Sequence, residues 1–393
     1  MFSYMTFGLW LKGVIIPFLT GLIIVACVHP MIVKLSLVRH AVDMPDSRKL
    51  QKDPVPVLGG LAVYFGIIVG IGVVSVVFNS YALFTCVVAM TVMVYIGTLD
   101  DLMGLSPYLR LFLEIAMVGF VMKMDLTSIN DFHGLFGLGH LPVYCSVPLC
   151  AVSCVGIINA INMIDGVNGL SSGLCFMASV VFGLLFCASY DGTMAVMASL
   201  TAGALVPFFF HNVFGKTSKM FIGDSGTLMI GMLMAIFCMR TIDNTSLEAY
   251  NHPRVGVIAF CLSVLSVPVF DTLRVMTTRI LKGVSPFHPD KSHLHHLFIE
   301  IGFSHIGTTA MVISLNLLNI VCWFVSCELG GNATVQFIVV FVVGVLNTTG
   351  VYLLIRKINK DCILYRGLKK LARISHQETG RWFLAIRNFM DRL

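Results

Sequence analysis

Eleven stretches of mostly apolar residues occupy the greater part of this chain, at roughly 12–33, 57–78, 81–99, 108–124, 142–160, 170–189, 192–210, 225–239, 254–278, 308–328 and 334–355. A helix needs about 20 such residues to cross ~30 Å of hydrocarbon. Inside lipid every backbone polar group must be satisfied by the segment itself or by its neighbours. The expected fold is therefore an all-α polytopic membrane protein of about eleven transmembrane helices. Composition agrees, with 57% hydrophobic and 12% charged residues, against about 25% charged in soluble domains. The eighth stretch is short, and the fourth is shortish and carries Glu114. The twelve cysteines form no CxxC pair and mostly sit within apolar runs, as small hydrophobes do. The start of the chain lacks the charged opening and small-residue cleavage pattern of a signal peptide, so the first span is expected to be retained.

Charge distribution sets an expected orientation. With the N-terminus periplasmic and the C-terminus cytoplasmic, 22 of the 26 Lys and Arg residues fall on the inner side. Lys12, Lys123, Arg240 and Arg254 fall on the outer side. The expected organisation is one bundle over residues 1–355, with inner loops 35–56, 100–107, 160–169, 211–226 and 279–307, followed by a basic tail, 356–393. The chemistry-bearing loops then share one membrane face. A transporter more often carries its polar groups near the midplane, on broken helices.

Five polar stretches interrupt the apolar pattern. The run Tyr81–Leu99 ends in two adjacent carboxylates, Asp100 and Asp101. Neighbouring side chains on a helix diverge by about 100°, so the two can face different surroundings. The pair reads either as a solvated helix end or as a proton acceptor with a partner. The segment VDMPDSRKLQKDPVPVLGG, residues 42–60, is broken by prolines and carries Arg48, Lys49 and Lys52. It reads as a positive-inside anchor or as a phosphate-binding surface.

In NAINMIDGVNGL, residues 159–170, Asn159, Asn162 and Asp165 recur at three-residue spacing and could share a helical face, with Asn168 beyond Gly166. In FIGDSGTLMIG, residues 221–231, Asp224 opens a span between glycines. It reads as a helix cap or as a ligand for a hard cation such as Mg²⁺. The fifth stretch, residues 270–298, gathers Asp271, Arg274, Arg279, Asp290, Lys291, His293, His295 and His296. No HExxH or matching cysteine motif supports zinc, and imidazoles beside Arg and Lys suit anion binding better. Asp271 and Arg274, three residues apart, could simply pair. Together the five stretches favour phosphoryl transfer, which needs positioning and charge neutralisation more than covalent work by the protein.

In order along the chain, D-x-P-x-x-R-K at 43–49, P-x-P-x-x-G-G at 54–60, DD at 100–101, N-x-x-N-x-x-D-G at 159–166, G-D-x-G at 223–226 and H-x-H-H at 293–296 resemble the polyprenyl-phosphate N-acetylhexosamine-1-phosphate transferase family. The run KGVSPFHPDKSHLHH is most similar to its bacterial undecaprenyl-phosphate N-acetylglucosamine branch. The resemblance implies transfer of N-acetylglucosamine-1-phosphate from UDP-N-acetylglucosamine to undecaprenyl phosphate. The products would be the lipid diphosphate sugar and UMP, in the first membrane step of O-antigen or related envelope glycan synthesis.

It also implies Mg²⁺ dependence, with Mn²⁺ able to substitute, and a bacterial inner-membrane location with the active site facing the cytoplasm. The bilayer is an expected partner, a homodimer is open, and no nucleic acid is expected. By the same resemblance Asp224, with Asn162, would bind the metal. Asp100 would accept the lipid phosphate's proton, with Asp101 in support, and Asp165 would hold the nucleotide–metal complex. Asn168 would face the uracil, and Lys52, His293, His295, His296 and Arg279 would bind diphosphate or sugar.

The chain departs from the family pattern at Asn168, where many bacterial members carry aspartate, and at Gln51, where the family has histidine. Asn168 can therefore hydrogen-bond but cannot supply charge. Other UDP-N-acetylhexosamines, or a transporter of a phosphorylated substrate, are the alternatives. In the tail, Trp382, Phe383, Ile386, Phe389 and Met390 could share one helical face against the inner leaflet.

Overall fold

The computed structural model describes residues 10–43, 54–75, 81–124, 129–243, 255–288 and 290–392. These residues are predominantly helical, with one two-residue strand pair, Val42–Asp43 antiparallel to Val55–Pro56. Among the described residues eight helices are long and apolar enough to cross a membrane: Leu11–Val38, Tyr81–Met103, Val143–Met163, Leu170–Ala188, Gly192–Phe214, Gly223–Ile242, His305–Glu328 and Ala333–Lys357. Val257–Val264 and Ser266–Leu281, bent by 78°, make a ninth if they form one span.

All eleven expected stretches contain helix, but two fall short of the expected spans. Gly59–Val74 has 16 residues, about 24 Å of helix at 1.5 Å per residue. Pro107–Lys123 has 17 residues and includes Arg110, Glu114 and Lys123. The eighth stretch corrects in the other direction. It forms a 20-residue helix and is the most deeply buried of the spans. Asp224 in its first turn and Arg240 in its last are charges that a helix dipole favours at those ends, so they extend the helix.

The chain divides into two compact units. The first comprises Met1–Thr127, Ser171–Phe237 and Gly380–Leu393. Here the Ile16–Val38 helix buries Pro17, Gly21, Val25, His29 and Val33, every fourth residue and hence one face. Leu19, Ile23 and Met31 stay exposed on its other faces, as lipid contact allows. The buried face packs on Gly192–Phe214 and Gly59–Val74. Phe182, Phe186 and Phe237 interlock with ring centroids 5.7 to 6.2 Å apart. Such van der Waals packing is what associates helices in lipid, where burial from water contributes little.

The C-terminal Arg381–Met390 helix belongs to the first unit. Phe383 and Met390 are buried, with the Phe383 ring 4.9 Å from that of Phe214, whereas Trp382 and Phe389 are exposed. The single face expected for the five tail residues is thus divided between packing and exposure. Burial opposes ionisation of the Asp391 carboxyl. The backbone N–H groups of Ser218 and Lys216 outweigh this and hold it below its usual range.

The second unit comprises Ser128–Leu170 and Cys238–Thr379. Its defining feature is the break at Leu265 between Val257–Val264 and Ser266–Leu281. Pro268 has no N–H to give the carbonyl four residues earlier, that of Val264. The buried Asn316 replaces it, its Nδ2 donating to Val264 O at 2.8 Å. Asn316 Oδ1 accepts from Val267 N at 3.0 Å and from Ser266 Oγ at 3.1 Å. One carboxamide from the His305–Glu328 helix therefore satisfies both sides of the break, which a low-dielectric setting demands. The break redirects the helix that carries Asp271, Arg274 and Arg279.

Candidate active site

In the first unit three motifs converge on the start of the Gly223–Ile242 helix. The amides of Gly59 and Gly60 donate to Phe221 O and Ile222 O at 3.0 and 2.8 Å, and Phe221 N donates to Pro56 O at 2.8 Å. The P-x-P-x-x-G-G segment is thereby joined along the approach to G-D-x-G. Gly223 has φ +68°, and a Cβ there would meet the Val57 carbonyl and the Asp101 carboxylate. Asp224 N and Ser225 N donate to Asp101 Oδ1 and Oδ2 at 2.9 and 3.1 Å. A carboxylate from a distant helix thus caps N–H groups that a helix start leaves without intrahelical partners. Asp224 follows directly, close enough to Asp101 for their charges to interact.

Asp100 and Asp101 do diverge, as the helix geometry requires. Asp100 Oδ1 accepts from Leu105 N at 2.7 Å, and Oδ2 lies 3.1 Å from Arg110 Nη1. Arg110 Nε lies 3.5 Å from the fully buried Glu114. Arg110 and Glu114 were not among the expected site residues. Their four-residue spacing at the start of a span was the available signal. Lys52 lies outside the described residues.

In the second unit the Val143–Met163 helix ends before Asp165. Asn159 and Asn162 are helical, but Asp165 sits in the following turn, its N–H donating to Asn162 O at 3.2 Å. The expected three-residue face therefore holds for the asparagines alone. The backbone of Asn168 is fixed from the His305–Glu328 helix, with its N–H on His305 Nδ1 at 3.3 Å and its carbonyl accepting from Thr309 Oγ1 at 2.9 Å.

Asp165, Gly166, Arg279, Asp290, His293, His295 and His296 line a cavity of about 240 Å³. That is smaller than the roughly 300–1,000 Å³ of sites for drug-sized ligands, and of a size for a phosphate group or part of a sugar. A Cβ on Gly166 would run into the His295 ring. The rings of His293 and His295 are stacked, with centroids 5.6 Å apart, and His296 lies 4.3 Å from His295. Burial first, then the neighbouring His296 and His293, pushes His295 well below the usual imidazole range. Burial, His293 and Lys291 bring His296 down to about 4. At neutral pH these two rings are uncharged and offer one N–H each.

Arg279 is almost fully buried and paired. Its Nη2 and Nε reach the two Asp290 oxygens at 2.9 and 3.2 Å, and Nη1 donates to Pro286 O at 2.7 Å. Burial opposes ionisation of Asp290, but Arg279 and Ser292 hold its carboxyl well below the usual range. Asp271 joins His293, Leu294 and Arg274.

In each unit the oxygen donors are of a kind that suits a hard cation. The Asp224 carboxylate in the first unit, and the Asp165 carboxylate and Asn162 carboxamide in the second, are ligand types of Mg²⁺, which uses one or two carboxylates together with substrate phosphates and waters. Among the described residues no cluster of three or more His, Cys, Asp and Glu could hold a metal by itself. A protein-only cage such as structural zinc requires is therefore not formed by them, whereas a substrate-completed Mg²⁺ site needs none.

Residues 83–242 match the family described as Glycosyl transferase family 4. The chain is 28% identical over 296 residues to the probable undecaprenyl-phosphate N-acetylglucosaminyl 1-phosphate transferase of Bacillus subtilis (strain 168), covering 74% of this chain and 79% of that protein. It is 31% identical over 269 residues to the undecaprenyl-phosphate alpha-N-acetylglucosaminyl 1-phosphate transferase of Escherichia coli (strain K12), covering 67% and 70%. It is also 31% identical over 288 residues to the decaprenyl-phosphate N-acetylglucosaminephosphotransferase of Mycobacterium leprae (strain TN), covering 68% and 72%.

Proposed function

This chain belongs to the polyprenyl-phosphate N-acetylglucosamine-1-phosphate transferase family, and from that premise we propose that it transfers N-acetylglucosamine-1-phosphate from UDP-N-acetylglucosamine to undecaprenyl phosphate. An oxygen of the lipid phosphate attacks the sugar-bearing phosphorus. The bond from that phosphorus to the bridging oxygen breaks, and UMP leaves. The observation that carries the reading is the convergence of the P-x-P-x-x-G-G, DD and G-D-x-G motifs on the Asp101-capped helix start at Asp224.

In the first unit Asp224 is proposed as the residue that holds Mg²⁺, and Asp101 as the group that positions Asp224. Asp100 takes up or relays the proton of the lipid phosphate, with Arg110 holding its carboxylate in place. In the second unit Asp165 and Asn162 would hold the nucleotide–metal complex, Asn168 the uracil by hydrogen bonding, and the histidines the diphosphate or sugar. Bound Mg²⁺ supplies neutralisation of charge on the transferred phosphoryl group. The excess of Lys and Arg in one set of loops supports a cytoplasmic active site in the inner membrane. The product would enter O-antigen or a related envelope glycan.

The test is release of UMP from UDP-N-acetylglucosamine by purified protein, with and without undecaprenyl phosphate and Mg²⁺. Release that requires both additions supports the reading. Release from another UDP-N-acetylhexosamine alone would change the donor, and no release from any of them would overturn the reaction.

A further inference from the structure

Asp271 is not one of the residues assigned a role above, yet it is 1% exposed and lies behind a histidine of the cavity. Three sets of donors surround its carboxylate. Arg274 Nη2 reaches Oδ1 at 2.6 Å and Arg274 Nε reaches it at 3.1 Å. Leu294 N reaches Oδ2 at 3.1 Å, and His293 Nδ1 lies 2.9 Å from the same oxygen. A carboxylate so placed can only accept, so Nδ1 of His293 carries the hydrogen. Nε2 is then the ring nitrogen left for the cavity. The neighbouring His295 and His296 have no carboxylate bond of this kind among those of the described residues.

We propose that Asp271 is a positioning residue that fixes the tautomer and orientation of His293, so that Nε2 of His293 is the atom that meets the phosphoryl or sugar group of the donor substrate. This deepens the transferase reading and rests on it for the identity of the ligand, though not for the geometry of the pair. Carboxylate-oriented imidazoles recur where one ring nitrogen must be kept for chemistry. Arg274 makes the arrangement directional. It offers donors only and makes two contacts to Oδ1, so an amide at position 271 that keeps its oxygen toward Arg274 turns its NH₂ toward both His293 and the Leu294 N–H. Nδ1 would then become an acceptor, and the hydrogen would move to Nε2.

The experiment is ring ¹⁵N NMR on histidine-labelled full-length protein in detergent, with His293→Asn used to assign the signal. The wild type is expected to show His293 protonated at Nδ1, and Asp271→Asn to show it at Nε2. A wild-type ring protonated at Nε2 alone overturns the proposal and needs no variant to fold. The second readout is a double-mutant cycle on UMP release. Asp271→Asn should lower kcat by on the order of 10- to 100-fold, the range in which outer partners of oriented histidines act. It should lower kcat by less than about 3-fold once His293 is Asn, because the pair acts as a unit. Equal losses in both backgrounds would mean that Asp271 acts elsewhere, and would overturn the proposal. If the wild type releases no UMP, the transferase reading fails while the NMR measurement still decides the pair.

Discussion

Asp101 places one carboxylate oxygen on the amide of Asp224 and the other on the amide of Ser225, at 2.9 and 3.1 Å. The interaction joins the end of one helix to the beginning of another that lies 123 residues on. Both oxygens are engaged, so Asp101 serves the helix start first and the chemistry through it.

Asp101→Asn and Asp224→Ala should therefore behave differently. The first keeps one acceptor and turns an amide NH₂ toward a backbone N–H. It should reduce stability by about 1–2 kcal/mol, the usual scale for a lost cap, and reduce turnover as well. The second removes a carboxylate that the helix start favours and should cost about 0.3–1 kcal/mol, while removing Mg²⁺-dependent UMP release. Melting curves and Mg²⁺ titrations on the two variants separate the roles. An unchanged Mg²⁺ titration in Asp224→Ala would take that residue out of the metal site.

Arg110 stands between Asp100 and Glu114 at 3.1 and 3.5 Å, and Glu114 is fully buried. Removing the cation while keeping both carboxylates should be strongly destabilising, by about 3–5 kcal/mol for a buried pair. Arg110→Gln is expected to show that loss, and Arg110→Gln with Glu114→Gln to recover much of it, since the second change removes the uncompensated charge. Thermal unfolding of the two proteins makes the comparison. A double variant no more stable than the single one would show that Glu114 does not depend on Arg110.

What could be read from the sequence was local, and what could not was long-range. The divergence of Asp100 from Asp101 follows from helix geometry alone. The apolar stretches located the helices that carry Asp100, Asp101, Asn162, Asp224 and Arg279, though not the short Leu294–Ile301 helix that carries His295 and His296 within the expected loop 279–307. The partner of Asp101 lies 123 residues away and that of His293 lies 22 residues away, beyond any periodicity argument. Pro268 lies within the stretch expected as one span over 254–278, and nothing near it names Asn316 as the partner of the break. Two stretches looked like full spans because apolar character continues past helix ends, as at Gly59–Val74. Gly223–Ile242 looked short because its terminal charges resembled boundaries, when they are charges that helix ends favour.

Asn316 gives a prediction about the broken span. Asn316→Leu fits an apolar side chain but leaves the Val264 carbonyl and the Val267 N–H without their partners. Each unsatisfied buried group costs about 1–3 kcal/mol, so the variant should unfold at a clearly lower temperature. It should also lose turnover, because the break aims the helix bearing Asp271 and Arg279. Asn316→Asp with a neutral carboxyl keeps an acceptor for Val267 and an O–H donor for Val264, so it should be more stable than Asn316→Leu. Unfolding of Asn316→Leu at the wild-type temperature would mean that the break does not need this carboxamide.

The cavity histidines give a pH dependence whose sign is fixed. His296 is brought from an ordinary value of 6.5 down to about 4, chiefly by burial and then by His293 and Lys291, and His295 moves in the same direction. Between those pH values the unfolded chain binds protons at these positions and the folded protein does not, so stability falls as pH falls. The favourable contribution is complete above about 6.5 and is lost as pH drops to about 4. Asp290 does not share that window. Its carboxyl stays ionised and paired with Arg279 until pH falls below the ordinary carboxylate range. The melting temperature of the wild type should decline from pH 6.5 to pH 4, and His296→Gln should flatten part of the decline, since glutamine takes up no proton. A variant with the wild-type slope would show that His296 does not contribute to acid destabilisation.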